Sequence, residues 1–125
     1  MERQVVSSGN PMEPVVGYSR AVRVGDRVVV AGTCAVWPDG SVDPDPGVQA
    51  RRALAIIGDA LAEVGASFAD VVRTRIFVVD AADFPAVGEV HGEVFGAIRP
   101  ACSGVVVKAL LDPRWKVEIE ADAVV

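Results

Sequence analysis

Histidine is almost absent from this 125-residue chain: His91 stands alone. Cysteine is scarce as well, and Cys34 and Cys102 lie far apart, outside any C-x-x-C pair. Zinc sites draw several ligands from these two residue types. The shortage therefore excludes a zinc centre of the usual kind, and no metal is expected. With Glu89 and Glu93 nearby, the expected partner of His91 is a carboxylate or a backbone carbonyl. Phosphate-cradling patterns are missing too, both G-x-x-x-x-G-K-S/T and G-x-G-x-x-G, so no nucleotide cofactor is expected. No G-x-S-x-G marks a serine nucleophile. No apolar run nears the ~18 residues of a membrane-spanning helix, so no membrane association is expected. Met1–Gly9 is polar and lacks the apolar stretch of a secretory signal. The expected location is cytoplasmic, with reduced thiols.

What the chain has is apolar material. Hydrophobic residues make up 51% and charged residues 23%, with a mean hydropathy of +0.37. Residues 1–125 read as a single domain that buries a core. So small a domain has much surface, and the apolar surplus points to cover by a partner subunit. Seventeen acids against twelve bases leave a net charge of −5. That balance argues against nucleic acid as partner, which needs a basic surface to release phosphate counterions.

Periodicity divides the chain. Ser8–Val16, with Pro11 and Pro14, reads as an extended lead-in. Tyr18–Val24 and Arg27–Ala31 flank Gly25-Asp26 as a hairpin. Trp37–Gly47 is a loop, and Asp45-Pro46 opens a helix. Leu54, Ile57, Leu61 and Val64 then share one helix face up to a stop at Gly65. Val71–Val79 predicts a strand with Arg73 and Arg75 on one face. Asp83 predicts a cap for a second helix, Phe84–Ile98. The glycines of that helix, Gly88, Gly92 and Gly96, read equally as close packing on a sheet or as simple tolerance. Arg99-Pro100 breaks the helix, and strands Ser103–Leu110 and Trp115–Val124 follow. The order is ββ-α-β-α-ββ, with both helices packed on one face of a sheet.

Chemistry narrows to a few side chains. Glu118 and Glu120 point to one strand face, where paired carboxylates can position water or move protons. The same pattern, with Lys116 and Asp122, also describes a solvated strand face. Cys102 reads as a small buried filler or as a reactive thiol. Cys34 reads as core.

Several stretches carry a family resemblance: Gly17-Tyr18-Ser19-Arg20-Ala21, Val30-Ala31-Gly32-Thr33, Gln49-Ala50-Arg51, Asp70 to Val78, Arg99-Pro100-Ala101 and Val117-Glu118-Ile119-Glu120-Ala121. In this order, along nearly the whole chain, they resemble the RidA (YjgF) family of reactive-intermediate deaminases. The resemblance implies an α+β fold of the bacillus-type chorismate-mutase kind: ββαβαββ, a mixed sheet with two helices on one face, and a homotrimeric barrel with ligand clefts between subunits. It implies hydrolysis of small imines or enamines without metal or cofactor. By the resemblance, Glu118 helps place the attacking water, and Tyr18, Ala31 and Gly32 line the cleft.

One family feature is missing. Where the typical member continues Pro-Ala with the arginine that grips the substrate carboxylate, Pro100-Ala101 is followed by Cys102. A neutral thiol supplies no guanidinium fork, so a non-standard substrate is expected. Cys102, His91, Arg99 and Glu120 then complete the candidate substrate-binding set, and Arg73 or Arg75 is a further source of positive charge. Three functions follow: a deaminase or hydrolase of small imine or enamine metabolites, a non-catalytic trimer binding a small ligand, and a ribonuclease or translation inhibitor, which the acidic balance disfavours.

Overall fold

The structure, a computed structural model, describes residues 2–125. Local chemistry sets most of its boundaries. Asp45 caps the long helix α2 (Pro46–Glu63), its carboxylate accepting from the Val48 backbone N–H at 3.0 Å. Past the helix end, Gly65 takes φ +76°, the left-handed conformation that costs glycine least. Between these limits Ala50, Ala53, Leu54, Ile57, Ala60 and Leu61 are buried on one face, as the spacing predicts. The hairpin around Gly25-Asp26 forms as well, joining β2 (Ala21–Val24) to β3 (Arg27–Cys34).

Four expectations need correction, and one open alternative is settled. The lead-in is not wholly extended: Met12–Val16 makes a short helix, α1, after a further strand, β1 (Arg3–Val6). That strand pairs with β2, a long-range contact with no local sequence signal. Asp83 does not cap α3 (Phe84–Phe95) through its side chain. The Asp80 carboxylate instead accepts from Ala82 N and starts a single 3₁₀ turn ahead of it. Helix α3 ends at Phe95, before Ile98, and Arg99 turns the chain at φ +58° just ahead of Pro100, a neighbour that disfavours helix. The next strand, β5, covers Ala101–Val106 rather than Ser103–Leu110. The glycines of α3 are tolerated rather than pressed on the sheet. A Cβ at Gly92 would meet nothing within 4 Å, and at Gly88 or Gly96 only atoms of α3 itself.

The sheet has the order β1-β2-β3-β6-β4-β5, where β4 is Val71–Val78 and β6 is Val117–Val124. Only the β4–β5 pair is parallel, so the sheet is mixed. Val28, Val30, Ile76, Val78, Val117, Ile119, Ala121 and Ala123 form its buried face and join α2 and α3 in one core. The alternate positions, among them Val29, Arg75, Phe77, Glu118, Glu120 and Asp122, make the other face, which no helix covers. Among the described residues no helix is long and apolar enough to cross a membrane.

Candidate functional site

Antiparallel pairing between β3 and β6 slips between Val30 and Thr33. Ala31 and Gly32 thus stand against the single residue Glu120, a β-bulge that turns backbone out of the ladder. Arg20 pins this bulge. Its Nη1 donates to the Gly32 carbonyl at 2.7 Å and to Thr33 Oγ1 at 3.0 Å. Its Nη2 donates to the Tyr18 hydroxyl at 3.3 Å, and its own carbonyl accepts from Ala31 N at 2.9 Å. The buried guanidinium has a buried counter-ion, since Arg20 Nε lies 3.8 Å from Glu13 Oε2. Glu13 also accepts from Ser7 Oγ at 2.9 Å, from Ser8 N and from Ser8 Oγ. Burial pushes the Glu13 carboxyl up, but the Ser8 and Ser7 donors and the Arg20 charge outweigh it and hold the group below its ordinary range.

On the far side of the bulge stands Glu118, half-buried and in register with Cys34. The Cys34 thiol donates to Glu118 Oε1 at 3.2 Å. A Cβ added at Gly32 would fall 2.6 Å from Glu118 Oε2, so the carboxylate occupies space that only a glycine leaves open. Burial pushes the Cys34 thiol well above its ordinary range, and the Glu118 charge pushes it further. The thiol is therefore a protonated donor at neutral pH. Tyr18, Ala31, Gly32 and Glu118 come together around this bulge.

The remaining candidates lie elsewhere. Glu120 pairs with Arg75 at 3.2 Å, and Asp122 joins the same guanidinium at 3.5 Å, an ion cluster on the uncovered face. Arg73, on that face, donates to Ser103 Oγ at 3.0 Å, while its Nε is buried without a partner. His91 meets neither a carboxylate nor a carbonyl. Its Nε2 lies 2.8 Å from Thr74 Oγ1, because α3 lies over β4 and Thr74 faces the helices, fully buried. Burial lowers the affinity of the His91 ring for a proton. His91, Phe95, Arg99 and Pro100 line a shallow groove of about 320 Å³. Cys102, in register with Thr74, is exposed rather than a buried filler, because β5 is an edge strand. Within one copy the sheet thus separates the Glu118 cluster from His91. Among the described residues no His, Cys, Asp and Glu group as a metal ion would need.

Sequence reasoning missed three members of the cluster. Arg20 lies inside one of the quoted stretches, and a charge at the entry to an apolar strand was its only signal. Glu13 shows as nothing but an acid between prolines. Cys34 reads as core and is buried, yet its thiol points at Glu118.

Comparison with known proteins identifies the family and the fold. The family model described as Endoribonuclease L-PSP matches residues 8–125. The chain is 34% identical to mouse 2-iminobutanoate/2-iminopropanoate deaminase over 98% of its length and 91% of that protein. A crystal structure of a Mycobacterium tuberculosis member of the YjgF/YER057c/UK114 family superposes with a TM-score of 0.92 at 52% identity, covering 99% of this chain and 100% of that one. Escherichia coli TdcF, solved with bound serine, superposes at 0.82 with 30% identity over 97% and 93% of the two chains. A mixed sheet with two helices on one face, a bulge set against a held glutamate, and a family match across nearly the whole chain lead to one conclusion: the chain belongs to the RidA/YjgF family, the family of the L-PSP endoribonuclease model.

Proposed function

We propose that this protein is a cofactor-independent hydrolase that converts small imines or enamines to a carbonyl compound and ammonia, on substrates other than 2-iminopropanoate. The observation that carries the reading is the half-buried Glu118 carboxylate, held between the Cys34 thiol and the Gly32 bulge. In the proposed step Glu118 accepts a proton from water as the water oxygen bonds to the imine carbon. The adduct nitrogen takes up the proton held by Glu118 and the proton of the new hydroxyl. As the C–N bond breaks it leaves as ammonia, the oxygen becomes the carbonyl and Glu118 is a carboxylate again. Imine plus water gives carbonyl plus ammonia, with no oxidant or reductant. Tyr18, Ala31 and Gly32 line the cleft, and His91, Arg99, Cys102 and Glu120 read the substrate.

Substrate choice turns on Cys102. An exposed thiol makes no bidentate pair with a carboxylate, which favours imines that are bulkier or lack that charge. The working unit is a homotrimer in which the α3–β5 edge of one copy completes the Glu118 cleft of the next. Exposed Val29 and Val105 on the uncovered sheet face support such cover. The free cysteines fit a reducing cytoplasm. The net charge of −5 argues against RNA as substrate.

The test is ammonia release from freshly made 2-iminopropanoate and from a panel of bulkier and uncharged imines, with Glu118→Gln as control. Turnover of the panel, lost in Glu118→Gln, is expected. Measurable affinity for a metabolite with no turnover of any imine would replace the hydrolase by a ligand-binding trimer. Efficient turnover of 2-iminopropanoate would overturn the substrate assignment. Sedimentation equilibrium checks the trimer.

A further inference from the structure

We infer that Cys34 is a positioning residue for the reaction proposed above: its thiol fixes the plane of the Glu118 carboxylate so that Oε2 faces the Gly32 notch. The inference deepens that reading and rests on Glu118 as the water-orienting group. Two constraints act on the two oxygens. Oε1 receives the thiol at 3.2 Å, and Oε2 fills the space left by the missing Cβ of Gly32. A carboxylate on a strand otherwise rotates freely about its last torsion. Here the register that sets Cys34 opposite Glu118 stops that rotation.

The choice of donor matters chemically. A thiol is a weak donor, so it orients an anion while stabilising its charge less than a hydroxyl or a guanidinium does. A group that must accept a proton from water gains from being held without being over-stabilised. The thiol also stays protonated, since burial and the Glu118 charge oppose its ionisation. The other groups near the pair are few. Arg20 and Asp112 act on Cys34 with opposite sign. Phe77, uncharged, pairs with Glu118 from β4. Along the uncovered face Arg75 is engaged by Glu120 and Asp122.

The experiment uses Cys34→Ser and Cys34→Ala beside the wild type, read in two ways. The first needs no substrate: crystal structures of the three proteins. Cys34→Ser is expected to keep the Glu118 carboxylate seated against Gly32, and Cys34→Ala to release it into other rotamers. A carboxylate seated alike in all three proteins would overturn the inference whether or not an imine is turned over. The second reading is the pH profile of kcat and KM on the imine found. Cys34→Ala is expected to lower kcat about tenfold with KM within about twofold. Cys34→Ser is expected to restore most of kcat and to shift the acidic limb to lower pH. Equal losses in Ser and Ala, with an unmoved acidic limb, would leave Cys34 a packing residue only and sink the proposal. Should the Cys34 variants fail to fold, Glu118→Gln serves with Cys34 intact. Alkylation of Cys34 at alkaline pH, followed by peptide mass spectrometry that resolves it from Cys102, is expected to quicken severalfold once the neighbouring charge is gone. An unchanged rate would overturn the pairing.

Discussion

Two carboxylates stand at opposite ends of one bridge. Glu13 holds Arg20, Arg20 holds the Gly32 carbonyl, and Gly32 makes room for Glu118. The two acids are held by different donors. Glu13 is buried among hydroxyls, a backbone N–H and a guanidinium, which lock it as an anion. Glu118 is half-buried and receives one thiol. The contrast teaches that donor and burial change together: Glu13 is buried among strong donors, and Glu118 is half-exposed with a weak one. Strong donors make Glu13 a foundation of the bulge, while a weak donor and a glycine leave Glu118 oriented and accessible.

The largest effect should come from the foundation. Glu13→Ala leaves the Arg20 guanidinium buried without its counter-ion and is expected to cost about 3–5 kcal/mol in denaturant unfolding. Glu118→Gln should behave oppositely: stability within about 1 kcal/mol of the wild type, and ammonia release down about 100-fold or more. If the two variants lost stability and turnover in similar proportion, the division of labour would be wrong. Gly32→Ala comes next. Its new methyl meets the end of a flexible side chain, so stability should change by less than about 1 kcal/mol. The Glu118 carboxylate must move aside, however, and turnover should fall about tenfold in steady-state assays.

The smallest effect lies in pH. The folded Glu13 carboxyl sits below its ordinary 4.5. Its contribution is therefore present above that pH and is lost as pH falls through the folded value. The folded His91 ring takes up a proton less readily than its ordinary 6.5. On acidification the unfolded chain binds that proton first, so stability declines as pH falls below about 6.5. Urea midpoints measured from pH 8 to 3 should show both declines. His91→Phe should abolish the upper one and leave the lower, whereas Glu13→Gln should keep the upper and shrink the lower, to which Asp112 and Glu93, also held low by arginine partners, still contribute.

Much of the fold was legible because its signals are local. Asp45-Pro46 opens α2, Gly65 closes it, Gly25-Asp26 turns the hairpin, and the alternation of Val117 to Asp122 separates the two faces of β6. β1 was not legible, since Arg3–Val6 becomes a strand only by pairing with β2. Nor was the end of α3, where Arg99 accepts a left-handed backbone ahead of Pro100. At the candidate site, Tyr18, Gly32 and Glu118 could be named from motifs, and the pattern of two placed Glu118 and Glu120 on one face. That Glu120 would be taken up by Arg75, and Glu118 left to Cys34, depended on register. His91, conspicuous as the sole histidine, bonds to Thr74 under the helix layer. The sequence by itself determined the course of α2, the β2–β3 hairpin and the cores of β4 and β6, and which of their faces are apolar, because those properties follow from spacing along the chain. Only the tertiary structure decided that Glu13, Arg20, Gly32, Cys34 and Glu118 form one connected bridge. The bulge between Val30 and Thr33 is a property of two strands brought together, and no stretch of either strand contains it.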